Sequence, residues 1–249
     1  MIDISIILPP LLAGLLVLLT HVPLGQRVLQ RGIIFIDLAL AQIAGLGVII
    51  AQVLGWHAHD IGLQVIAVSS ALIGALLLYW FEKRWAAVQE AVIGLTFVLA
   101  ATAAILFVAG HAQGLHQIDQ LLNGQILWVQ YGQLWPIAIL SIVVLVLWYL
   151  PFGQSTQLKF YLLFALSVTA SVQLVGVYLV FASLIVPALA LSRLQHKGPL
   201  LGYVIGFFGY LLGVIGSALF DLPTGPLIVW MLLVSAVAIV LFCKAIKRH

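Results

Sequence analysis

The sequence predicts an all-α protein, a polytopic bundle of transmembrane helices, and three observations support this fold class. Hydrophobic residues make up 64% of the 249 residues and charged residues only 7%, whereas soluble domains carry about 25% charged residues. The apolar residues form long runs, most of them near the roughly 20 residues that cross a bilayer. The lysines and arginines fall between or beyond these runs. We therefore expect a single membrane domain over residues 1–249.

The apolar runs give the number of spans. They are Ile4–Leu19, Ile33–Leu54, Ile61–Phe81, Ala91–Ala109, Tyr131–Leu150, Phe160–Leu191, Leu200–Leu219 and Leu227–Phe242. Phe160–Leu191 is too long for one crossing, and Gln173 and Gly176 lie near its middle, where a tight turn would divide it. With that hairpin, the chain has about nine spans.

The distribution of positive charge orients the spans. If Phe160–Leu191 is a hairpin, all ten lysines and arginines lie on one side of the membrane, and if it is a single pass they are split between both sides. The positive-inside rule favours the hairpin. The predicted topology therefore has the N-terminus outside and the C-terminus in the cytoplasm.

Several functional classes are excluded by missing motifs. The chain has no G-x-x-x-x-G-K-[ST] loop for nucleotide phosphates and no His-Glu-x-x-His zinc-protease motif. In a membrane protein the excess of positive charge sets topology rather than attracting nucleic acid. We therefore expect neither an enzyme nor a nucleic-acid-binding protein, and no permanently bound cofactor.

The second span contains polar residues inside an apolar run. Asp37, Gln42 and Gln52 lie there, although a charge near the bilayer centre costs roughly 2.5–3.5 kcal/mol even on insertion scales. At 100° per residue, Asp37 and Gln42 lie about 140° apart and Asp37 and Gln52 about 60° apart. Ala41 and Gly45 have the small-residue spacing that permits close helix packing. Two interpretations stay open: a structural hydrogen bond to a neighbouring helix, or contact with a passing cation.

The predicted outer connections contain possible metal ligands and no cation. Imidazole and carboxylate groups are the ligands that zinc and related divalent ions take. The residues are His57, His59 and Asp60 in one connection, and His111, His116 and Asp119 in another. They are interpreted either as transient metal-capture groups at an outer mouth or as solvated loop residues.

Five stretches of the chain resemble the integral-membrane permeases of bacterial ABC importers for zinc, manganese and iron. They are FIDLALAQIAGLG, EAVIGLTF, DQLLNGQILWV, LVGVYLVFASLIVPALAL and GSALFDLPTGPLIVW. The resemblance implies a multi-pass protein of the bacterial inner membrane that carries a divalent metal ion inward by alternating access. It also implies a homodimer, a cytoplasmic ABC ATPase that binds the ATP, and an extracytoplasmic metal-binding protein.

The resemblance also implies where the metal passes. In this family an Asp and a His four residues apart on the second span contact the metal, so Asp37 is the acidic member and Gln42 takes the histidine position. Here the two are five residues apart, and alignment on Ala-Leu-Ala-Gln instead puts Leu38 at the acidic position. Both alignments stay open.

The ATPase contact is less clear from the sequence. The connection at 151–160, where the family carries its ATPase-docking helix, is short. Segments 82–89 and 192–199 are alternatives, and the positively charged residues for coupling are Lys83, Arg84, Lys159, Arg193 and Lys197. The short connection also leaves a second hypothesis, an ATP-independent metal channel or carrier.

Overall fold

A computed structural model describes residues 4–56, 61–111, 114–150, 156–194 and 199–246. These residues form helices and no strand, which confirms the all-α prediction. The helices are α1 (Ile4–Arg31), α2 (Ile36–Val53), α3 (Ile61–Arg84), α4 (Gln89–Val108), α5 (Gly114–Asn123), α6 (Tyr131–Tyr149), α7 (Thr156–Val175), α8 (Val177–Arg193), α9 (Leu200–Phe220) and α10 (Thr224–Ile246).

The number of spans agrees with the prediction of about nine. Among the described residues, 8 helices are long and apolar enough to cross a membrane, and α8 is a shorter apolar helix. Phe160–Leu191 is divided as expected, because α7 ends at Val175 and α8 begins at Val177. Gly176 between them has φ 84° and ψ 163°, a conformation that residues with a Cβ avoid.

Contacts between helix ends gather the positive charges at one end of the bundle. Arg31 at the end of α1 lies 3.9 Å from Glu82 near the end of α3, and 4.5 Å from the Phe160 ring near the start of α7. Since α8 turns back from α7, Arg193 returns to this end. We call it the cationic end and the other the outer end.

The first helix is longer than the apolar run that predicted it. The run ends at Leu19, whereas α1 continues to Arg31. Polar residues beyond Leu19 are buried because they have partners: Ser167 Oγ donates to Thr20 Oγ1 at 2.8 Å, and His21 Nδ1 lies 2.9 Å from the Val17 carbonyl oxygen. Hydropathy alone misses this continuation, because internal hydrogen bonds offset the cost of burying these groups.

The segment at 110–130 is the largest difference from the sequence prediction, which treated it as an outer connection. It contains α5 and a short 3₁₀ turn, Ile126–Trp128, in which Ile126 is fully buried. Leu121 packs against Gly45 in α2, so close that a Cβ at Gly45 would overlap it. The chain therefore turns back into the bundle here.

Glycine permits the close approach of this segment to the bundle. Gly124, with φ 67°, lies directly against the backbone of Val175 and Gly176 at the α7–α8 turn, where a Cβ on either glycine would clash. Gly225 at the start of α10 lies against the Asn123 carbonyl oxygen. Three connections thus meet at the outer end.

Candidate translocation groove

The second helix presents Leu38 and Gln42 to a groove on the side of the bundle. These two residues are four apart, so they lie on one face of α2. Gln42 is only 3% exposed, and its amide has no hydrogen-bond partner among the described residues. It lies six residues into α2 and therefore well inside the span.

The groove has a volume of about 650 Å³ and runs between α4 and α10. These helices pack on α2 and α8 respectively, and α2 and α8 form its floor. Residues from five helices line it, among them Leu38, Gln42, Phe97, Ile118, Leu122, Tyr178, Phe181, Ile185, Val229 and Trp230. Apart from the Gln42 amide and the Tyr178 hydroxyl, these lining side chains are apolar.

Asp37 does not line the groove. It is 1% exposed, and neither carboxylate oxygen has a hydrogen-bond partner among the described residues. It lies in the first turn of α2, where the helix dipole favours a negative charge. Glu90 lies nearby at the start of α4 and accepts the Phe35 N–H at 3.2 Å. The start of α2 therefore has two carboxylates close to one another.

Gln52 lies in a different cavity. Its position in the last turn of α2 brings it to the outer end, with Gln64 of α3 and Gln173 of α7 around the same cavity. The structure therefore distributes the three polar residues of α2 over three environments: Asp37 buried, Gln42 in the groove and Gln52 in the outer cavity.

The possible outer metal ligands fall partly outside the described residues. His57, His59 and Asp60 lie in that part of the chain. His111 follows α4 and is exposed. His116 and Asp119 are exposed on α5, where His116 Nε2 accepts from the Gln120 amide at 2.7 Å and Asp119 Oδ1 accepts from Asn123 at 2.6 Å. Among the described residues, no three His, Cys, Asp or Glu side chains cluster to hold a metal.

The positively charged residues at the cationic end differ in their environments. Lys159 Nζ donates to the Leu150 carbonyl oxygen at 2.7 Å and so closes the α6–α7 connection. Lys83 lies 4.6 Å from the Tyr79 ring centroid, whereas Arg84 and Arg193 are exposed. Lys197 lies outside the described residues.

The connection between α3 and α4 lies at the same end and contains segment 82–89, one of the predicted ATPase contacts. Trp85, which directly precedes the short 3₁₀ turn Ala86–Val88, is 48% exposed, and Val88 at the end of this turn is 53% exposed. The basic residues Lys83 and Arg84 lie directly before them. Exposed apolar groups with flanking positive charge suit both the membrane–water interface, where Trp is enriched, and contact with a partner protein.

Chemically, the groove can solvate a cation only weakly. The Gln42 amide oxygen is a neutral ligand that suits hard cations, and the groove lining offers no carboxylate or imidazole to accompany it. Sequence reasoning named Gln42 but missed Tyr178 and Phe181, which lie across the groove on α8. No periodicity identifies these two, because only the packing of α8 beside α2 brings them there.

Comparison with protein families gives one match over nearly the whole chain. The model of the ABC 3 transport family matches residues 3–244. A curated relative, the manganese transport system membrane protein MntC of Halalkalibacterium halodurans, is 26% identical over 228 residues. The alignment covers 83% of this chain and 76% of that relative.

Solved structures show the same fold. PsaBC from Streptococcus pneumoniae, in complex with Fab, matches with a TM-score of 0.73 and 20% identity, over 97% of this chain and 91% of that chain. A transporter described as of the metal-chelate ABC type, in an inward-facing conformation, matches with a TM-score of 0.68 and 16% identity. That match covers 94% of this chain and 85% of the other.

Proposed function

Because the chain belongs to the ABC 3 transport family, we propose that it is the membrane permease of an ATP-driven importer of divalent metal ions. It is a multi-pass protein of the bacterial inner membrane and a transport component rather than an enzyme. Manganese is favoured by the name of the curated relative, and zinc by the wider family resemblance. The metal is the transported substrate, and the ATP is bound by a separate ATPase.

The groove that Leu38 and Gln42 line is the observation that supports this proposal most. An open apolar face with a single buried amide is an incomplete pathway, since lipid would otherwise contact Gln42. A second copy of the chain, related by a two-fold axis, would cover the groove and bring two Gln42 amides together. Homodimers commonly use one such self-complementary surface.

The metal would pass Gln42 with little retention. Two amide oxygens bind a divalent ion weakly, and weak sites favour release during transport. Asp37 and Glu90 would supply negative potential near the start of α2 without direct contact in this conformation. The outer groups, from His57, His59 and Asp60 to His111, His116 and Asp119, would meet the ion before it enters the groove, whereas Gln52 lies in the separate outer cavity. An extracytoplasmic metal-binding protein would deliver it.

Coupling to the ATPase would use the cationic end. Segment 82–89 is the best supported contact, because Trp85 and Val88 are exposed beside Lys83 and Arg84. Arg193 and Lys197 would add a second contact. Lys159 is less suited, because its ammonium group is already hydrogen-bonded to two backbone carbonyls.

Transport assays can test this proposal. The protein is reconstituted in proteoliposomes with an ABC ATPase that co-purifies with it, and uptake of manganese and zinc is followed with and without ATP. We expect ATP-dependent uptake. Gln42→Leu should reduce this uptake, and Trp85→Ala with Val88→Ala should uncouple ATP hydrolysis from it. Failure to find any ATP-dependent flux with an ATPase that co-purifies would contradict the proposal.

The alternative is an ATP-independent channel or carrier, motivated by the short connection at 151–160. It predicts metal flux down a gradient in the absence of ATP, and no ATPase after gentle purification. The same proteoliposomes distinguish the two, because only the importer accumulates metal against its gradient.

A further inference from the structure

A second cavity, separate from the groove, opens at the outer end between α3 and α6. It has a volume of about 670 Å³. Both α3 and α6 pack on α7 but make no substantial packing with one another, so α7 forms the back wall of the cavity. The opening between α3 and α6 faces the surface that lipid surrounds in a membrane.

The outer rim of this cavity is a ring of six glutamines from five helices. They are Gln52, Gln64, Gln117, Gln120, Gln133 and Gln173. The side chains of Gln52, Gln64, Gln117 and Gln173 have no hydrogen-bond partner among the described residues. Among the described residues that line the cavity, none is Asp, Glu, Lys, Arg or His. Gln120 and Gln133 have partners within the protein, Gln120 at His116 and Gln133 at the Gln130 N–H. The four remaining primary amides offer several donors and acceptors but no charge.

The floor of the cavity is apolar with one exception. Val68, Leu140 and Leu166 line it deeper in the bundle. Thr169, which is 1% exposed, also lines it, and its hydroxyl has no partner among the described residues. A buried hydroxyl without a partner is uncommon, since buried polar groups are normally hydrogen-bonded.

The polarity of the cavity changes along the membrane normal. Gln52 and Gln173 lie in the last turns of α2 and α7, and Gln64 and Gln133 in the first turns of α3 and α6, all at the outer end. The apolar floor lies further toward the bilayer centre. This is the order of a lipid molecule of the outer leaflet, with its headgroup at the surface and its chain below.

From this arrangement we infer that the cavity binds an outer-leaflet lipid whose headgroup is uncharged and rich in hydroxyl groups. The glutamine amides donate to and accept from the headgroup hydroxyls, and the acyl chain packs on Val68, Leu140 and Leu166. A phosphate or ammonium headgroup finds no opposite charge among the described lining residues. The cavity is within the 300–1,000 Å³ range typical of small-molecule sites.

Photo-crosslinking in nanodiscs tests the inference. The full-length protein is placed in phosphatidylglycerol and phosphatidylethanolamine with a small fraction of monoglucosyl diacylglycerol that carries a diazirine on its acyl chain. After irradiation, peptide mass spectrometry locates the label. We expect it on the peptides that contain Val68, Leu140 and Leu166.

A test variant and a matched control show whether the glutamine amides are needed for labelling. Gln64→Leu with Gln173→Leu keeps the size of the side chains and removes two amides, so labelling is expected to fall about tenfold, because each lost hydrogen bond has a modest net effect. Gln157→Leu makes the same change on α7 at the cationic end, where the side chain is exposed. It should leave labelling unchanged. Equal unfolding temperatures of the variants ensure that a loss of labelling reports the site.

Three results would overturn the inference. Equal labelling of the same peptides by a phosphatidylglycerol probe with the same chain would show that the headgroup is not recognised. If free glucose prevented labelling, and the length of the probe's acyl chain made no difference, the cavity would be assigned to a soluble sugar instead. Labelling spread evenly over the lipid-facing helices would show that no lipid site exists. Metal uptake is not part of this test, so its outcome is independent of the proposed transport function.

Discussion

The groove and the outer cavity have nearly the same volume, about 650 and 670 Å³, but opposite chemistry. Among the described lining residues, Gln42 is the one glutamine of the groove, whereas six glutamines line the outer cavity. The short helix α5 separates them, and Leu121 lines both. The comparison indicates that one short helix can separate a mainly apolar groove from a cavity rich in amide groups.

The two faces of α5 explain the division. Gln117 and Gln120 face the outer cavity, while Ile118 and Leu122 face the groove. The separation depends on how closely α5 approaches α2 and the α7–α8 turn, which Gly45, Gly124 and Gly176 allow. Substitutions at these glycines should therefore disturb the separation of the two cavities. Substitutions of the lining residues should show how the chemistry of the groove differs from that of the outer cavity.

The largest effect is expected from Gly176→Ala. A Cβ there would lie 2.6 Å from the Asn123 carbonyl carbon, and the backbone conformation itself is one that only glycine adopts at low cost. Strain of this kind costs about 1–3 kcal/mol before any clash, so we expect a loss of about 3 kcal/mol or more. Reversible unfolding in detergent measures it.

Gly94→Ala is the matched control for this substitution. Gly94 lies inside α4, and a Cβ there would meet no atom within 4 Å. The same change should be neutral or stabilise the helix by about 0.5–1 kcal/mol. Equal destabilisation by both substitutions would contradict the importance of the α5 contact.

The next largest effect is a gain of metal affinity from Leu38→Asp with Gln42→His. The double change would place a carboxylate and an imidazole four residues apart on the groove face of α2, as in the family pattern. We expect manganese or zinc to bind at least about 100-fold more tightly, since even second-shell changes alter metal affinity by 10–100-fold. Titration calorimetry measures it.

Val48→Asp with Gln52→His places the same pair on α2 beside the outer cavity, where no second copy would complete the site. It should give a much smaller gain. A comparable gain at both positions would show that the groove has no special geometry for metal.

A smaller effect is expected from Asp37→Asn. The Asp37 carboxylate is buried without a hydrogen-bond partner among the described residues, and burying an unpaired charge costs more than burying a neutral amide of the same shape. The amide should therefore raise stability by about 1 kcal/mol while it reduces metal uptake. Loss of stability would instead favour the structural hydrogen bond that the sequence left open.

The smallest effect is the difference between Gln42→Leu and Gln52→Leu in uptake. A neutral ligand in a weak site contributes about 1 kcal/mol, so Gln42→Leu should slow uptake about fivefold. Gln52→Leu should change it less. Initial rates in proteoliposomes, normalised to the amount of reconstituted protein, provide the measurement, and a larger effect of Gln52→Leu would reverse the assignment of the two cavities.

The fold was largely predictable because its main determinant is hydropathy. The apolar runs and the position of Gly176 predicted the spans and the α7–α8 hairpin, which the structure confirms. The prediction was incomplete where tertiary contacts add structure that hydropathy does not show. The end of α1 continues past Leu19 because Thr20 and His21 find partners, and α5 enters the bundle because Gly45 leaves room for Leu121.

The candidate sites were less predictable. Helical geometry indicated that Asp37 and Gln42 point in different directions, but not which of them faces the groove. The glutamine ring was not predictable, because its members come from five helices and none has a local signature. Only the packing of α3 and α6 on α7 brings them together.

Block by cadmium most directly tests whether Gln42 lines the transport route. In a Cys243→Ala background, Gln42→Cys and Asp37→Cys are reconstituted with the ATPase, and manganese uptake is followed as cadmium is added, because thiolates bind soft metal ions tightly. We predict that cadmium stops uptake by Gln42→Cys and leaves Asp37→Cys and the background unaffected. Block of Asp37→Cys with no effect on Gln42→Cys would contradict the assignment of the groove as the route.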